Sequence, residues 1–192
     1  MQRDQALAIV REFVKNENLV HHMLAVEAVM RYYAQKFDEN IDAWGCVGLL
    51  HDFDWEIHPT LDKHPQAGAS ILRDRGVPED WIRAILSHAD HTGVTRDSLM
   101  EKTLFASDEI TGLVTAVALV RPSRSLFDLE AKSVKKKWKD KAFAAGANRE
   151  EIEKAAEEFG VDVWEHTSNV IIAMRAIARE INLVGKIDSI NG

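Results

Sequence analysis

The chain carries eight histidines, and their spacing against apolar neighbours says more than their number. His22 follows Leu19 by three and precedes Val26 by four, which puts it on the apolar stripe of a helix. His21 is rotated away from that stripe, beside Asn18 and Ala25, and is expected at the rim. His51 follows Trp44, Val47 and Gly48 at seven, four and three residues, and Asp52 comes directly after it. His88 stands in the same relation to Trp81, Ala84 and Ile85. Asp108 follows Leu104 and Phe105 at four and three. Three imidazoles and one carboxylate therefore point inward from four helices, with Asp52 beside one of them. Burying an unpaired carboxylate costs several kcal/mol. A shared metal ion removes that cost, and imidazoles with carboxylates suit iron, manganese, zinc or similar ions. Periodicity alone leaves a metal site and separately satisfied core polars both open.

Other residues are placed by local pattern. His91 lies three residues past His88 in the run His88-Ala89-Asp90-His91-Thr92-Gly93. It is a catalytic or substrate-contact candidate and the alternative to His88 as a ligand; the apolar spacing behind His88 favours His88. His58 and His166 have no motif around them and are expected at the surface. Lys132, Lys135, Lys136, Lys137, Lys139 and Lys141 cluster around Trp138, and Arg121 and Arg124 follow the Asp108 helix. These are either a solvated helix face or an electropositive wall for phosphate oxygens, with Arg121, Arg124, Lys136 and Lys139 as candidate contacts.

The elements that must position these residues read as helices from end to end. Leu7, Val10, Phe13 and Val14 mark a helix over about 3–15, and Leu19, Val26, Val29 and Tyr33 mark one over about 19–36. The segment 41–50 is apolar nearly all round, which predicts a central helix. Residues 53–63 read as a loop broken by Pro59. A helix over about 65–75 stops at Gly76, and Pro78 opens another to His88. Ser98 and Glu101 form a capping box for a long helix reaching Val120, which Pro122 ends. Further helices are expected over 133–145, from Asn148 to Gly160, and from Asp162 to about Leu183. No strand-period segment competes, so the expected fold class is all-α.

The whole-chain numbers exclude several classes. At 192 residues with 46% hydrophobic and 29% charged residues, the chain has the balance of a globular domain. The net charge of −7 has the wrong sign for general nucleic-acid binding. One cysteine, Cys46, excludes an intrachain disulfide and argues against an oxidising compartment. No secretory signal is visible at residues 1–5, and the apolar run Val114–Val120 is too short to span a bilayer. A cytoplasmic protein without membrane attachment is expected.

The order His22 … His51-Asp52 … Asp108 resembles the HD-domain superfamily of metal-dependent phosphohydrolases, and the match extends to longer motifs. His22-Met23-Leu24-Ala25-Val26-Glu27-Ala28 resembles the family's first helix, and Gly48-Leu49-Leu50-His51-Asp52 its core. His64-Pro65-Gln66-Ala67-Gly68-Ala69 and Ala84-Ile85-Leu86-Ser87-His88 resemble the added histidine segments of two-metal, HDIG-like members. Lys102-Thr103-Leu104-Phe105-Ala106-Ser107-Asp108 resembles the closing lysine-to-aspartate stretch.

The resemblance implies a helical bundle with additional C-terminal helices. One domain over 1–192 is expected, with a motif core of about 18–112 and an extension of about 125–183. It implies that His22, His51, Asp52 and Asp108 hold a first divalent ion. His64 and His88 would hold a second, with Asp52 bridging the pair; iron and manganese are the leading identities. Two ions bridged in this way activate and aim a hydroxide at phosphorus, and Asp52 is catalytic in that sense.

One departure stands out. Many family members carry lysine or glutamate three residues after the dyad aspartate, where this chain has Trp55. Asp54 and Glu56 are the candidates left for proton transfer, Asp54 first. The implied activity is hydrolysis of a phosphate ester or anhydride in a small phosphorylated metabolite or nucleotide. A mixed-valent di-iron oxygenase, disfavoured by Trp55, and a non-catalytic metal-binding module are the alternatives. Parts of the motifs resemble dinucleoside-tetraphosphate hydrolases, but the match stops after about Gly112 and carries no substrate with it. Oligomeric state is open.

Overall fold

The computed structural model describes residues 1–140 and 142–185. Among them are nine α-helices, one short 3-10 turn and no strand. The chain folds into two compact units, 1–105 and from Ala106 onward, and the division falls inside one helix.

The first unit holds α1 (Arg3–Phe13), α2 (Glu17–Lys36), α3 (Ile41–Leu50), α4 (Gln66–Asp74), α5 (Glu79–Ser87), a 3-10 turn (Asp90–Thr92) and the start of α6 (Leu99–Val120). α3 is buried from Trp44 to Leu50, as its all-round apolar sequence predicts, and packs on α1, α2 and α5. α2 is equally enclosed: every residue from Met23 to Met30 is buried. The two helices approach closely because position 48 lacks a side chain. A Cβ on Gly48 would lie 3.0 Å from the Glu27 backbone and 2.9 Å from Met30. Glu27 is charged and buried, and it is paid for by two guanidinium groups. Arg3 donates to it at 2.6 and 2.9 Å and Arg31 at 2.8 Å, while Arg31 also reaches Asp42 at 2.9 Å. This network ties α1, α2 and the start of α3 together.

Side-chain caps set the helix ends. Asn16 and Asn40 accept N–H bonds at the starts of α2 and α3. Ser98 and Glu101 exchange bonds of 3.3 and 2.7 Å, the expected capping box. After α4 the chain turns at Gly76 (φ +72°), with Val77 N–H returning to the Leu72 carbonyl at 3.0 Å.

The second unit holds the rest of α6, α7 (Ala131–Trp138), α8 (Arg149–Phe159) and α9 (Val163–Ala176), with α7 and α8 each packed on α9. Two expected helices are shorter than their patterns suggest. The one expected over 133–145 ends at Trp138. Arg149 takes the carbonyls of Phe143, Ala144 and Ala147, Ala144 adopts φ +48°, and Asp140 accepts the Phe143 N–H, so this stretch is a turn. The last helix stops at Ala176 rather than Leu183. Asn182 adopts φ +56°, and the Leu183 carbonyl accepts the Leu126 N–H at 2.9 Å, so the segment is held as turns.

His166, expected at the surface, is buried: its Nε2 donates to the Ala106 carbonyl at 2.7 Å and its ring packs edge-on against Phe159. His58 is half-buried. The run Val114–Val120 is short, but α6, which contains it, has 22 residues. By length and composition it is long and apolar enough to cross a membrane; 61% of its most apolar stretch is buried within the protein, as in a core helix.

Candidate metal centre

His51 ends α3 and is fully buried. Its Nδ1 donates to the Gly48 carbonyl one turn back at 2.8 Å, which makes Nε2 the lone-pair nitrogen of the neutral ring and turns it inward. His88 ends α5 in the same way, with Nδ1 donating to the Ile85 carbonyl at 2.5 Å. Both histidines follow an apolar helix by one residue, so the helix's own last carbonyls set the tautomer. His22 projects from the second turn of α2, 22% exposed.

The nitrogens meet in pairs. His22 Nε2 lies 3.2 Å from His51 Nε2, and His64 Nε2 lies 3.3 Å from His88 Nε2. Facing ring nitrogens at that separation need a proton or a cation between them. Two nitrogens each about 2.1 Å from one ion would stand about 3.0–3.4 Å apart.

Asp52 lies between the pairs. Its Oδ2 is 3.7 Å from His22 Nε2 and 3.6 Å from His51 Nε2. Its Oδ1 is 3.2 Å from His64 Nε2 and 3.5 Å from His88 Nε2. One carboxylate thus presents one oxygen to each histidine pair. Asp52, His64 and His88 alone offer three ligand atoms within 4.8 Å of one another. The donor set fits two divalent ions of the imidazole-and-carboxylate class.

Electrostatics follow this geometry. Burial opposes charge on Asp52, but its neighbour His51 and the hydrogen bonds of His64 and His88 override it and hold the carboxyl well below its usual range. Burial likewise opposes charge on His64, but Asp52 and Asp54 outweigh it and raise the imidazole to about 9.

The remaining candidates separate. His91 is exposed, and its Nε2 donates to the His64 backbone carbonyl at 2.7 Å. That makes it a strut for the His64 segment, and of the two it is His88 whose Nε2 faces His64 and Asp52. Arg96 fixes the 3-10 turn that carries His91, donating to Ser87 and Asp90 and stacking 3.7 Å above Phe105.

Asp54, the first candidate for proton transfer, is buried rather than exposed on its loop. It is 1% exposed, with one oxygen on His64 Nδ1 at 2.8 Å and the other on the Gly68 N–H at 3.1 Å. Glu56 is also committed. It accepts the Asn16 and Lys15 N–H groups at 2.9 Å, and these bonds lower its pKa. Trp55, 36% exposed, sets its ring at 85° to that of His64 with centroids 4.9 Å apart.

Sequence reasoning missed both the Asp54–His64 pairing and the part played by Gly68. The available signal was a second aspartate two residues past the dyad together with a histidine that precedes, rather than ends, a helix.

Asp108 is half-buried on α6, within the second unit, and its place in the ligand set comes from the motif. Arg121, a phosphate candidate, is already engaged: it donates to the Asp128 carboxylate at 2.7 Å, the Asp128 carbonyl at 3.0 Å and Ser133 at 3.1 Å. Lys132 pairs with Glu130, and Lys135 and Lys137 lie 5.0 Å over the rings of Trp164 and Phe143. Arg124, Lys136 and Lys139 are exposed, and Lys141 lies outside the described residues.

Residues 19–113 match the model of the HD domain. Through that stretch the chain belongs to the HD-domain family, most members of which are metal-dependent phosphohydrolases. No curated protein and no solved structure matches the chain.

Proposed function

We propose that this chain is a two-metal phosphohydrolase of the HDIG-like type, cleaving a phosphate ester or anhydride of a small metabolite or nucleotide. The observation that carries the reading is Asp52, with one oxygen turned to His22 and His51 and the other to His64 and His88. His22, His51 and Asp52 would hold the first ion, with Asp108 added by the family motif. His64, His88 and Asp52 would hold the second. When bound, such ions supply Lewis acidity and a water of lowered pKa close to phosphorus.

The chain's own residues do the rest. The Gly48 and Ile85 carbonyls keep His51 and His88 in the ligating tautomer, and Asp52 stays ionised across the neutral range. Trp55 forms a partly exposed aromatic edge beside His64. Exposed Arg124, Lys136 and Lys139 supply positive charge that draws a phosphorylated ligand to a chain of net charge −7, without general nucleic-acid binding. Cys46, buried and unpaired, suits a reducing, cytoplasmic setting.

The test is phosphate release from a panel of phosphorylated metabolites and nucleotides, with Mn²⁺ or Fe²⁺ loaded, alongside oxygen uptake. Hydrolysis that Asp52→Asn abolishes supports the reading. Substrate-dependent oxygen uptake with a silent phosphate panel replaces it with the di-iron oxygenase. Silence in both with metal bound leaves a binding module.

A further inference from the structure

His51, His88 and His64 fix their Nδ1 atoms in two ways. His51 and His88 terminate helices and use a main-chain carbonyl of their own helix. His64 stands two residues before α4 and ends no α-helix. The chain brings it a carboxylate instead: Asp54 Oδ1, at 2.8 Å from Nδ1.

That carboxylate is itself held. Its Oδ2 accepts the Gly68 N–H at 3.1 Å. Gly68 is the third residue of α4, whose capping position is Pro65 with no side-chain bond. Asp54 therefore does from a distance what an N-cap aspartate does locally, and the helix N-terminus favours its charge. Position 68 must be glycine for this to work: a Cβ there would lie 2.6 Å from Asp54 Cγ and 2.7 Å from Oδ2. Asp54 is 1% exposed, and Trp55 packs against the His64 ring, so the pair is kept from water.

Asp52 and Asp54 thus divide the His64 ring. Asp54 takes the Nδ1 side, and Asp52 Oδ1 lies 3.2 Å from the Nε2 side. A carboxylate acceptor makes an imidazole a stronger donor to a metal than a carbonyl does, and such partners typically change metal affinity 10–100-fold.

We propose that Asp54, clamped by the Gly68 N–H, is a positioning residue that fixes the His64 ring with Nε2 toward Asp52 and so sets the affinity of the second ion selectively. This rests on the two-metal reading above.

The test is Mn²⁺ titration of the full chain by calorimetry, with metal analysis, on the wild type and on Asp54→Ala, Asp54→Asn and Gly68→Ala. Wild type should bind two ions. Asp54→Ala should weaken one of them by about 10–100-fold and leave the other unchanged. Gly68→Ala should act in the same direction without altering any ligand. Asp54→Asn should lose less, because its amide oxygen still accepts from Nδ1. If an alanine variant fails to fold by circular dichroism, the asparagine variant decides. Two unchanged ions in every folded variant, or equal weakening of both, overturns the proposal. A wild type that binds no ion overturns the two-metal reading and this inference with it.

Discussion

Asp52 is the residue on which both histidine pairs converge. Asp52→Asn removes one negative charge from two cation sites at once. The expected result is loss of both ions, or a rate loss on the order of 10³-fold or more, about 4 kcal/mol of transition-state stabilisation; metal analysis and phosphate-release kinetics check it. His22 and its neighbour make a sharper comparison. Both are half-buried, but only His22 places Nε2 3.2 Å from His51. His22→Ala should lose metal, and His21→Ala should keep it, by metal analysis of each variant. His64 gives a pH dependence. Its folded pKa of about 9 lies above the 6.5 of a free imidazole. In chelator-treated protein its pairing with Asp52 and Asp54 stabilises the fold fully below about pH 6.5 and is lost as pH rises through about 9. Divalent binding must displace that proton, so Mn²⁺ affinity should rise between pH 7 and 9, by up to about tenfold per pH unit for one proton. A flat profile would contradict this. His22, His51 and His88 were legible because each lies on a helix stripe. Asp54 was not, because its burial comes from a histidine ten residues on and an N–H fourteen residues on, and helical periodicity does not report pairings across a loop.

At the scale of elements, the α2–α3 contact sets the distance between His22 and His51. Gly48→Ala would place a Cβ 3.0 Å from the Glu27 backbone, so the helices must part or tilt. Overpacking of this kind costs about 1–3 kcal/mol. The expected outcome is a lower denaturation midpoint, with metal binding weakened although no ligand has changed; an unchanged midpoint would show that the interface yields freely. The helix order was legible in the sequence because caps and breakers are local: Asn16, Asn40, Ser98 with Glu101, Asn148 and Asp162 all cap as their types suggest. The ends of α7 and α9 were not. Arg149 holds one turn by bonds to three carbonyls, and the Leu126–Leu183 bond ties down the other, so tertiary partners override helical propensity there. His166 was misjudged for a related reason: its acceptor, the Ala106 carbonyl, is sixty residues away.

For the molecule as a whole, the net charge is −7 while exposed cations stand on and near α7, and the proposed function assigns attraction of the phosphorylated ligand to those cations. Replacing Lys136 and Lys139 with alanine should raise KM for a phosphorylated substrate and leave kcat nearly unchanged, since a remote contact serves ground and transition states alike. An equal fall in kcat would place those lysines at the reacting group instead. All-α architecture could be read from the chain because helical periodicity recurs throughout it, whereas the division into two units inside α6 has no sequence mark, the helix being continuous through it. Everything in the proposed function depends on two ions joined by one carboxylate. The direct measurement is the number of Mn²⁺ ions bound per chain at saturation, with the electron paramagnetic resonance of the loaded protein. The expected result is two ions per chain with a spin-coupled signal that Asp52→Asn abolishes. A single uncoupled ion, or two ions untouched by Asp52→Asn, would contradict it.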